Sequence, residues 1–439
     1  MSLSISPPES NGTGVPKRYP SQWSLRRIRR DPVEFLASVG QRGDVAQFTI
    51  GGHNAFLLSH PRDIERVLTS NETQFVKSPA FARVSRLLGS GLLTAQGSLH
   101  RERRRILQPA FRHDRLVANL APIIGLVAEA CAGWGHGAQL DIASDMQSLT
   151  MRIAARTLFG AELHETTIVR DAVIAATACL DPLFTPVSPL RKLADARKTL
   201  RKTVESLIRQ RAETGECAVD MLSMLMQAEE VPGECSEQML DDALTLFLAA
   251  HDTISHALTW TWTLLAQNPA SQETMHHELH TVLGRRTPVA SDISNLRFTR
   301  AVFSESLRLF PPAWVLVRRA TADHQTEAAT IPAGSLVFVS QLLTHRDPRF
   351  FADPSRFLPE RWLDQDVRRL PKGAYFPFGL GPRSCIGEGL AWFEGVLILA
   401  TIGRTFTFRP PAGFEIVADA RLTLRPAAAV MRVERRLID

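Results

Sequence analysis

Apolar residues recur at three- and four-residue spacing through most of 99–310, the period of helices that bury one face. The pattern predicts helices over 114–133, 143–160, 165–180, 190–214 and 219–229. The longest runs over 237–266: Ser236 suits an N-cap, Glu237 puts an acid in the first turn, and Asn268-Pro269 closes it. Helices near 271–284 and 295–309 follow, the second stopped by Pro311-Pro312. Toward the N-terminus, 31–40 reads as a short amphipathic helix, and "DVAQFTI" and "NAFLLSH" flank Gly51-Gly52 as a β-hairpin. Pro61 opens a helix over 61–70, and 75–98 reads as a loop with short helices. Beyond Pro312 the chain is irregular, with strands in "WVLVRRA" and "SLVFVS", a helix over 386–404 and strands in "FTFRP", "FEIV" and "AVMRVERR". The expectation is a mainly α fold with a smaller β region: residues 1–30 a flexible tail, 31–439 one domain.

Composition changes little in this picture. The 439 residues are 44% hydrophobic and 22% charged, enough for a large core. The net charge of +6 is clustered in "SLRRIRR" (24–30) and "HRERRRILQ" (100–108). A basic cluster can serve nucleic acid, but no nucleic-acid-binding signature accompanies either one. A solvated face, an anionic cofactor or an acidic protein partner stay open. No apolar h-region opens the chain and no stretch approaches the ~20 apolar residues of a membrane span, so the expectation is a soluble, cytoplasmic chain without an anchor. The five cysteines (Cys131, Cys179, Cys217, Cys235 and Cys385) are irregularly spaced without a CxxC pair, which argues against a zinc site or a disulfide framework.

One cysteine stands apart. "FGLGPRSCIG" (378–387) surrounds Cys385 with glycines that tolerate positive φ or close backbone approach, just before a helix start. Free N–H groups at a helix N-terminus, and the charge of Arg383, favour a thiolate. The spacing Phe378-x-x-Gly381-x-Arg383-x-Cys385-x-Gly387 resembles the haem-binding signature of the cytochrome P450 superfamily at all five positions. The resemblance implies a P450 fold with a long central helix across haem b, and Cys385 as the thiolate ligand of the iron. It implies Phe378 shielding the sulfur, Gly379 and Gly387 as further haem-binding positions, and Arg383 pairing with a haem propionate.

Other stretches extend the likeness in the family's order from about residue 31 to the C-terminus. Glu305 and Arg308 in "ESLR" share a helix face, and Arg361 in "FLPERW" completes a triad whose role in the family is structural. Ala249-Ala250-His251-Asp252-Thr253 resembles the oxygen-activation motif, with Ala250 where glycine is usual. Thr253 and Asp252 become the catalytic pair that guides protons, and Thr253 is suited to bond back to the carbonyl four residues earlier. "GSLHRERRRILQPAF" places His100 where tryptophan is usual and Arg104 at the basic position near the propionates. Arg318, or its neighbour Arg319, matches another propionate position.

The implied activity is monooxygenation, inserting one atom of O2 into an apolar small molecule. Its electrons would come from a separate ferredoxin and an NAD(P)H-dependent reductase, docked in part on Arg101, Arg103 and Arg105, the enzyme itself a monomer. A peroxygenase or a haem-binding sensor of the same fold are the alternatives, and the Asp252-Thr253 pair weighs against both. By family analogy the substrate pocket draws on Phe81, Val84, Leu87, Leu88, Phe184, Phe247, Leu248, Ala249, Ala313, Val315 and Leu316. These side chains suit a terpene, steroid-like, fatty-acyl or macrolide-like molecule, with bacterial terpene oxidation preferred.

Overall fold

The computed structural model describes residues 21–70, 73–180, 190–213, 220–228, 235–363 and 369–436. Helices dominate, and the organising one is Glu237–Gln267. Its ends are set locally: the Ser236 hydroxyl accepts the Met239 N–H at 3.1 Å, and Pro269 follows the C-cap Asn268. It runs through the core, packing mainly on Ile142–Phe159, which Asp141 caps at one end and Gly160, with φ of 61°, ends at the other. The two helices are also stitched by a polar bond, Thr150 Oγ1 donating to the His251 carbonyl at 3.2 Å. Further along, Trp260 stacks on Phe310 with ring centroids 4.1 Å apart, and Trp262 meets Phe408 edge-on. Both tryptophans are fully buried.

The β region is peripheral. A five-stranded sheet runs Val45–Ile50, His53–Leu58, Leu336–Val339, Leu316–Ala320, Phe75–Lys77, with only the second and third strands parallel. Its first hairpin turns at Gly51 and Gly52, whose φ of 56° and 82° fit the primed turn that Gly-Gly favours. A second sheet pairs Val430–Arg435 with Gln139–Asp141 and Phe406–Arg409.

Several sequence expectations change. Residues 21–30, assigned to a flexible tail, form a helix (Ser21–Arg30) that buries Ile28 completely; 1–20 lie outside the described residues. The helix expected over 114–133 is two, His113–Ala118 and Leu120–Ala132, separated at Asn119. "FEIV" forms no strand; the pairing lies just beyond it, in the hairpin Ala418–Ala420 with Leu424–Pro426. That hairpin packs on the central helix.

Candidate active site

The cysteine loop is shaped by two glycines. Gly379 and Gly381 have φ of 71° and 70°, a region costly for residues with a Cβ. At Gly381 space is closed as well, since a Cβ would come 2.4 Å from the Leu68 carbonyl oxygen. The loop is fixed by Gly379 N–H to Phe376 O at 2.9 Å, Ser384 N–H to Gly381 O at 3.0 Å and Cys385 N–H to Phe378 O at 2.8 Å. Gly387 takes the second of the two expected roles, close approach: its φ is −91°, and a Cβ there would lie 3.6 Å from the Phe111 ring and 3.9 Å from Cys385 Sγ. The Phe378 ring packs against Trp392 at 5.6 Å.

Cys385 is closely surrounded by protein yet keeps an accessible side, so it sits at the floor of a concave site. Burial pushes its thiol up to about 11. The Gly387 N–H and the Arg104 charge pull the other way, while Glu388 adds to the rise. Burial thus outweighs the helix start and the nearby guanidinium, and the thiol keeps its proton unless a cation, such as a coordinated metal, reaches the sulfur. Among the described residues no His/Cys/Asp/Glu cluster could complete a metal's coordination. A lone accessible thiol fits a metal that brings its other ligands with it, as haem iron does.

Basic side chains surround the loop. Arg104, on the helix Gly97–Leu107, donates to the Ser384 carbonyl at 2.7 Å and so braces the residue before the cysteine. Arg383 donates to the Ala95 carbonyl at 2.7 Å. His100 is buried on the same face of Gly97–Leu107 as Arg104, four residues on. A cleft of about 650 Å³ beside that helix is lined by His100, Arg104 and Pro382, with exposed Arg101, Arg105 and Arg112 at its edge. Arg103 departs from the basic face expected for it: it points inward, buried against Asp242 of the central helix. Strand alternation separates Arg318 from Arg319. Leu316 packs at Gly379, Arg318 shares its face, and Arg319 is on the opposite, exposed one.

In the central helix, most positions from Met239 to Ala266 are buried, but Ala249 and Thr253, one turn apart, are exposed and Ala250 is half-buried. Thr253 Oγ1 donates to the Ala249 carbonyl at 3.0 Å, the back-bond its position predicted. Asp252 is mostly covered: its Oδ2 accepts from Thr423 Oγ1 at 3.2 Å and lies 3.8 Å from His256 Nδ1. Sequence reasoning missed both neighbours. His256 was visible at i+4 from Asp252, whereas nothing local marked Thr423.

Of the apolar lining, Phe81, Leu248, Ala313, Val315 and Leu316 are half-buried. Phe247, Val84, Leu87 and Leu88 are core residues instead; Phe247 packs edge-on against Phe159 and beside His251. Phe184 lies outside the described residues.

The triad comes together behind the loop. Glu305 Oε2 accepts from Arg308 Nε at 2.9 Å, and Oε1 from Arg308 Nη2 at 2.8 Å and Arg361 Nε at 3.1 Å. Trp362 Nε1 and the Leu358 N–H donate to the same carboxylate. Arg308 also donates to the His345 carbonyl at 2.8 Å, the His345 ring accepts the Phe376 N–H at 2.9 Å, and Phe376 O holds Gly379. The triad thus reaches the cysteine loop through a continuous run of hydrogen bonds.

The cytochrome P450 family model matches residues 14–427. The chain is 35% identical to cyclooctat-9-en-7-ol 5-monooxygenase of Streptomyces melanosporofaciens, with 93% of each chain covered. It is 34% identical to cyclooctatin synthase of the same organism, over 97% of this chain and 96% of that one. It is 30% identical to pentalenene oxygenase of Streptomyces avermitilis, over 92% and 94%.

Proposed function

The chain belongs to the cytochrome P450 family and is a monooxygenase, and from that premise we propose that it hydroxylates a cyclic terpenoid at a haem held by Cys385. The observation that carries this reading is the cysteine loop, a lone accessible thiol that the Gly387 N–H and the charge of Arg104 act on, with Arg104 bonded to the neighbouring Ser384 carbonyl. When bound, the haem supplies the redox chemistry of dioxygen activation, and its thiolate ligand favours O–O cleavage.

This chain's residues do the rest. Cys385 would hold the iron as a thiolate, its proton lost to solvent under the metal's charge, and the Gly387 N–H would steady the sulfur anion. Arg318, Arg383, Arg104 and His100 hold the haem carboxylates, Arg104 while bracing Ser384. Thr253, on the accessible stripe with Ala249, presents its hydroxyl to the reacting oxygen, and Asp252 renews the proton that Thr253 passes on. The small side chains of Ala249 and Ala250 leave room for dioxygen there. Phe81, Leu248, Ala313, Val315 and Leu316 bring no charge, so they orient substrate by shape and exclude water; the relatives' names point the substrate class toward terpenoids.

Electrons reach the haem from a separate acidic ferredoxin, itself reduced by an NAD(P)H-dependent reductase. The exposed Arg101, Arg105 and Arg112 around the cleft are the docking face that steers it. No described helix is long and apolar enough to cross a membrane, and we place the enzyme in the cytoplasm, working as a monomer.

The test is Thr253→Ala in the reconstituted system, with a panel of cyclic terpenoids screened by substrate-induced spectral shift. The expected result is unchanged substrate binding with NAD(P)H consumption diverted from product to hydrogen peroxide. Unchanged coupling overturns the assignment of Thr253.

A further inference from the structure

Asp252, His256 and Trp260 lie one turn apart on a single stripe of the central helix, which packs against the hairpin Ala418–Ala420/Leu424–Pro426. The first and third are bonded to it: Asp252 accepts from Thr423 Oγ1 at 3.2 Å, and Trp260 Nε1 donates to the Leu424 carbonyl at 3.0 Å. The middle one is not. His256 is 3% exposed, its Nδ1 is buried without a hydrogen-bond partner, and that nitrogen is directed at Asp252 Oδ2 3.8 Å away.

A buried imidazole nitrogen with no partner has lost water without gaining a protein bond in exchange, which is costly. Buried polar groups of this kind call for an explanation beyond packing. The charges around the ring supply one. Asp252 lies on one side, and the hairpin's Asp419 and Arg425 also act on the ring electrostatically; buried His251 is the other titratable group nearby on the helix. Asp419 binds Arg425 at 2.9 Å and Arg421 at 2.8 Å, and these three side chains are all partly open to solvent.

We propose that His256 is a further residue of the proton-delivery route, passing protons from the solvent side of the hairpin, at Asp419 and Arg425, to Asp252. This rests on the reading of Asp252 and Thr253 as the pair that delivers protons to the reacting oxygen. The step balances within the ring. The carboxylate of Asp252, having given its proton to Thr253, takes the Nδ1 proton of His256. The opposite nitrogen, Nε2, gains a proton from the solvent side, so the ring stays neutral overall and changes only its tautomer. Closing 3.8 Å to hydrogen-bond length takes a side-chain movement of about 1 Å. Burial, the largest influence, pulls the His256 pKa below its ordinary value, which suits a ring that rests neutral. Thr423 meanwhile holds the carboxylate in reach of the ring while it is ionised.

The test uses the holoenzyme with its redox proteins and compares wild type with His256→Gln, His256→Phe and Asp252→Asn. His256→Phe keeps a buried aromatic ring and removes both nitrogens, so it separates proton transfer from packing. Both His256 variants are expected to retain the thiolate-type reduced-CO spectrum and substrate affinity. Product per NAD(P)H should fall roughly tenfold, below the full effect of a general acid, with peroxide rising to match and the solvent isotope effect on product formation increasing. Independently of turnover, 15N-histidine spectra of the reduced CO form should show His256 titrating below the usual histidine range. In Asp252→Asn its midpoint should fall further, because a carboxylate that favours the charged ring is gone. Wild-type coupling and isotope effect in both His256 variants, with Asp252→Asn uncoupled, overturns this proposal and leaves the reading of Asp252 standing. A His256 midpoint unmoved in Asp252→Asn also overturns it. Full coupling in Asp252→Asn overturns the underlying reading itself.

Discussion

Replacing Glu305 by Gln keeps its shape and removes its charge from beneath Arg308, which is 0% exposed. The carboxylate takes donors from Arg308, Arg361, Trp362 and Leu358, so an amide in its place would turn an NH2 toward other donors. Hydrogen bonds to a charged group contribute about 1.5–3 kcal/mol each, but they share one carboxylate and do not add. The better guide is the loss on breaking a buried pair from one side, about 3–5 kcal/mol. With an unfolding entropy near 2.1 cal/mol/K per residue, 439 residues give about 0.9 kcal/mol/K, so Tm should fall by about 3–5 °C. Acid should shrink the gap. Burial pushes the Glu305 carboxyl up, but the hydrogen bond and charge of Arg308, with Arg361 and the Leu358 N–H, outweigh it and hold the group below its usual range. A lowered carboxyl contributes stability that is fully present above its unfolded pKa, about 4.3, and is lost as pH falls through the folded value. Calorimetry at neutral pH and near pH 4, at one fixed scan rate, reads the difference directly. The same variant should lose the thiolate-type CO spectrum at lower denaturant, because the route from Arg308 through His345 and Phe376 to Gly379 is what holds the loop. A Tm within about 1 °C of wild type at neutral pH, or a gap that does not narrow in acid, refutes this account.

Gly381→Ala should fold with little thiolate-ligated haem, since it meets both a φ of 70° and a Cβ 2.4 Å from Leu68 O; a normal CO spectrum per mole of protein would contradict that. Arg101→Glu/Arg105→Glu should slow ferredoxin-driven reduction at low ionic strength and flatten its salt dependence while leaving substrate-induced spectral shifts intact, as stopped-flow measurement can establish. Glu394, buried in the helix after Cys385, has its carboxyl pushed up to about 8 by burial alone. A raised carboxyl is neutral when folded and ionised when unfolded, so it lowers stability increasingly between about pH 4.3 and 8. Glu394→Gln should therefore raise stability at pH 7 by up to about 3–4 kcal/mol, with no gain near pH 4 in the same melts.

What the sequence disclosed follows from where each structural signal is encoded. The cysteine loop was legible because its geometry is local: the positive φ of Gly379 and Gly381 is a property of those residues, and their spacing to Cys385 is fixed by the chain. The central helix was legible because a 3.6-residue apolar period, a serine cap and a proline stop are local as well. Periodicity shows that a helix buries a face, but does not separate burial against protein from burial against a ligand. Hence Phe247, wedged beside Phe159, and the half-buried Leu248 carried the same expectation. Charge patterning failed in the same way at Arg103, which shares a basic run with Arg101 and Arg105 yet turns inward to Asp242. The surroundings of Asp252 were least accessible to sequence reasoning. Thr423 lies 171 positions away and reaches Asp252 only because the hairpin docks on the central helix, an approach fixed by the Trp260 bond to Leu424 O and the Leu424 N–H bond to Pro312 O. A polar residue inside an apolar helix announces that a partner exists. The identity of a partner such as Thr423 is written in the packing of a distant element, so the Asp252-Thr253 pair could be read from the chain while the hydroxyl bonded to it could not.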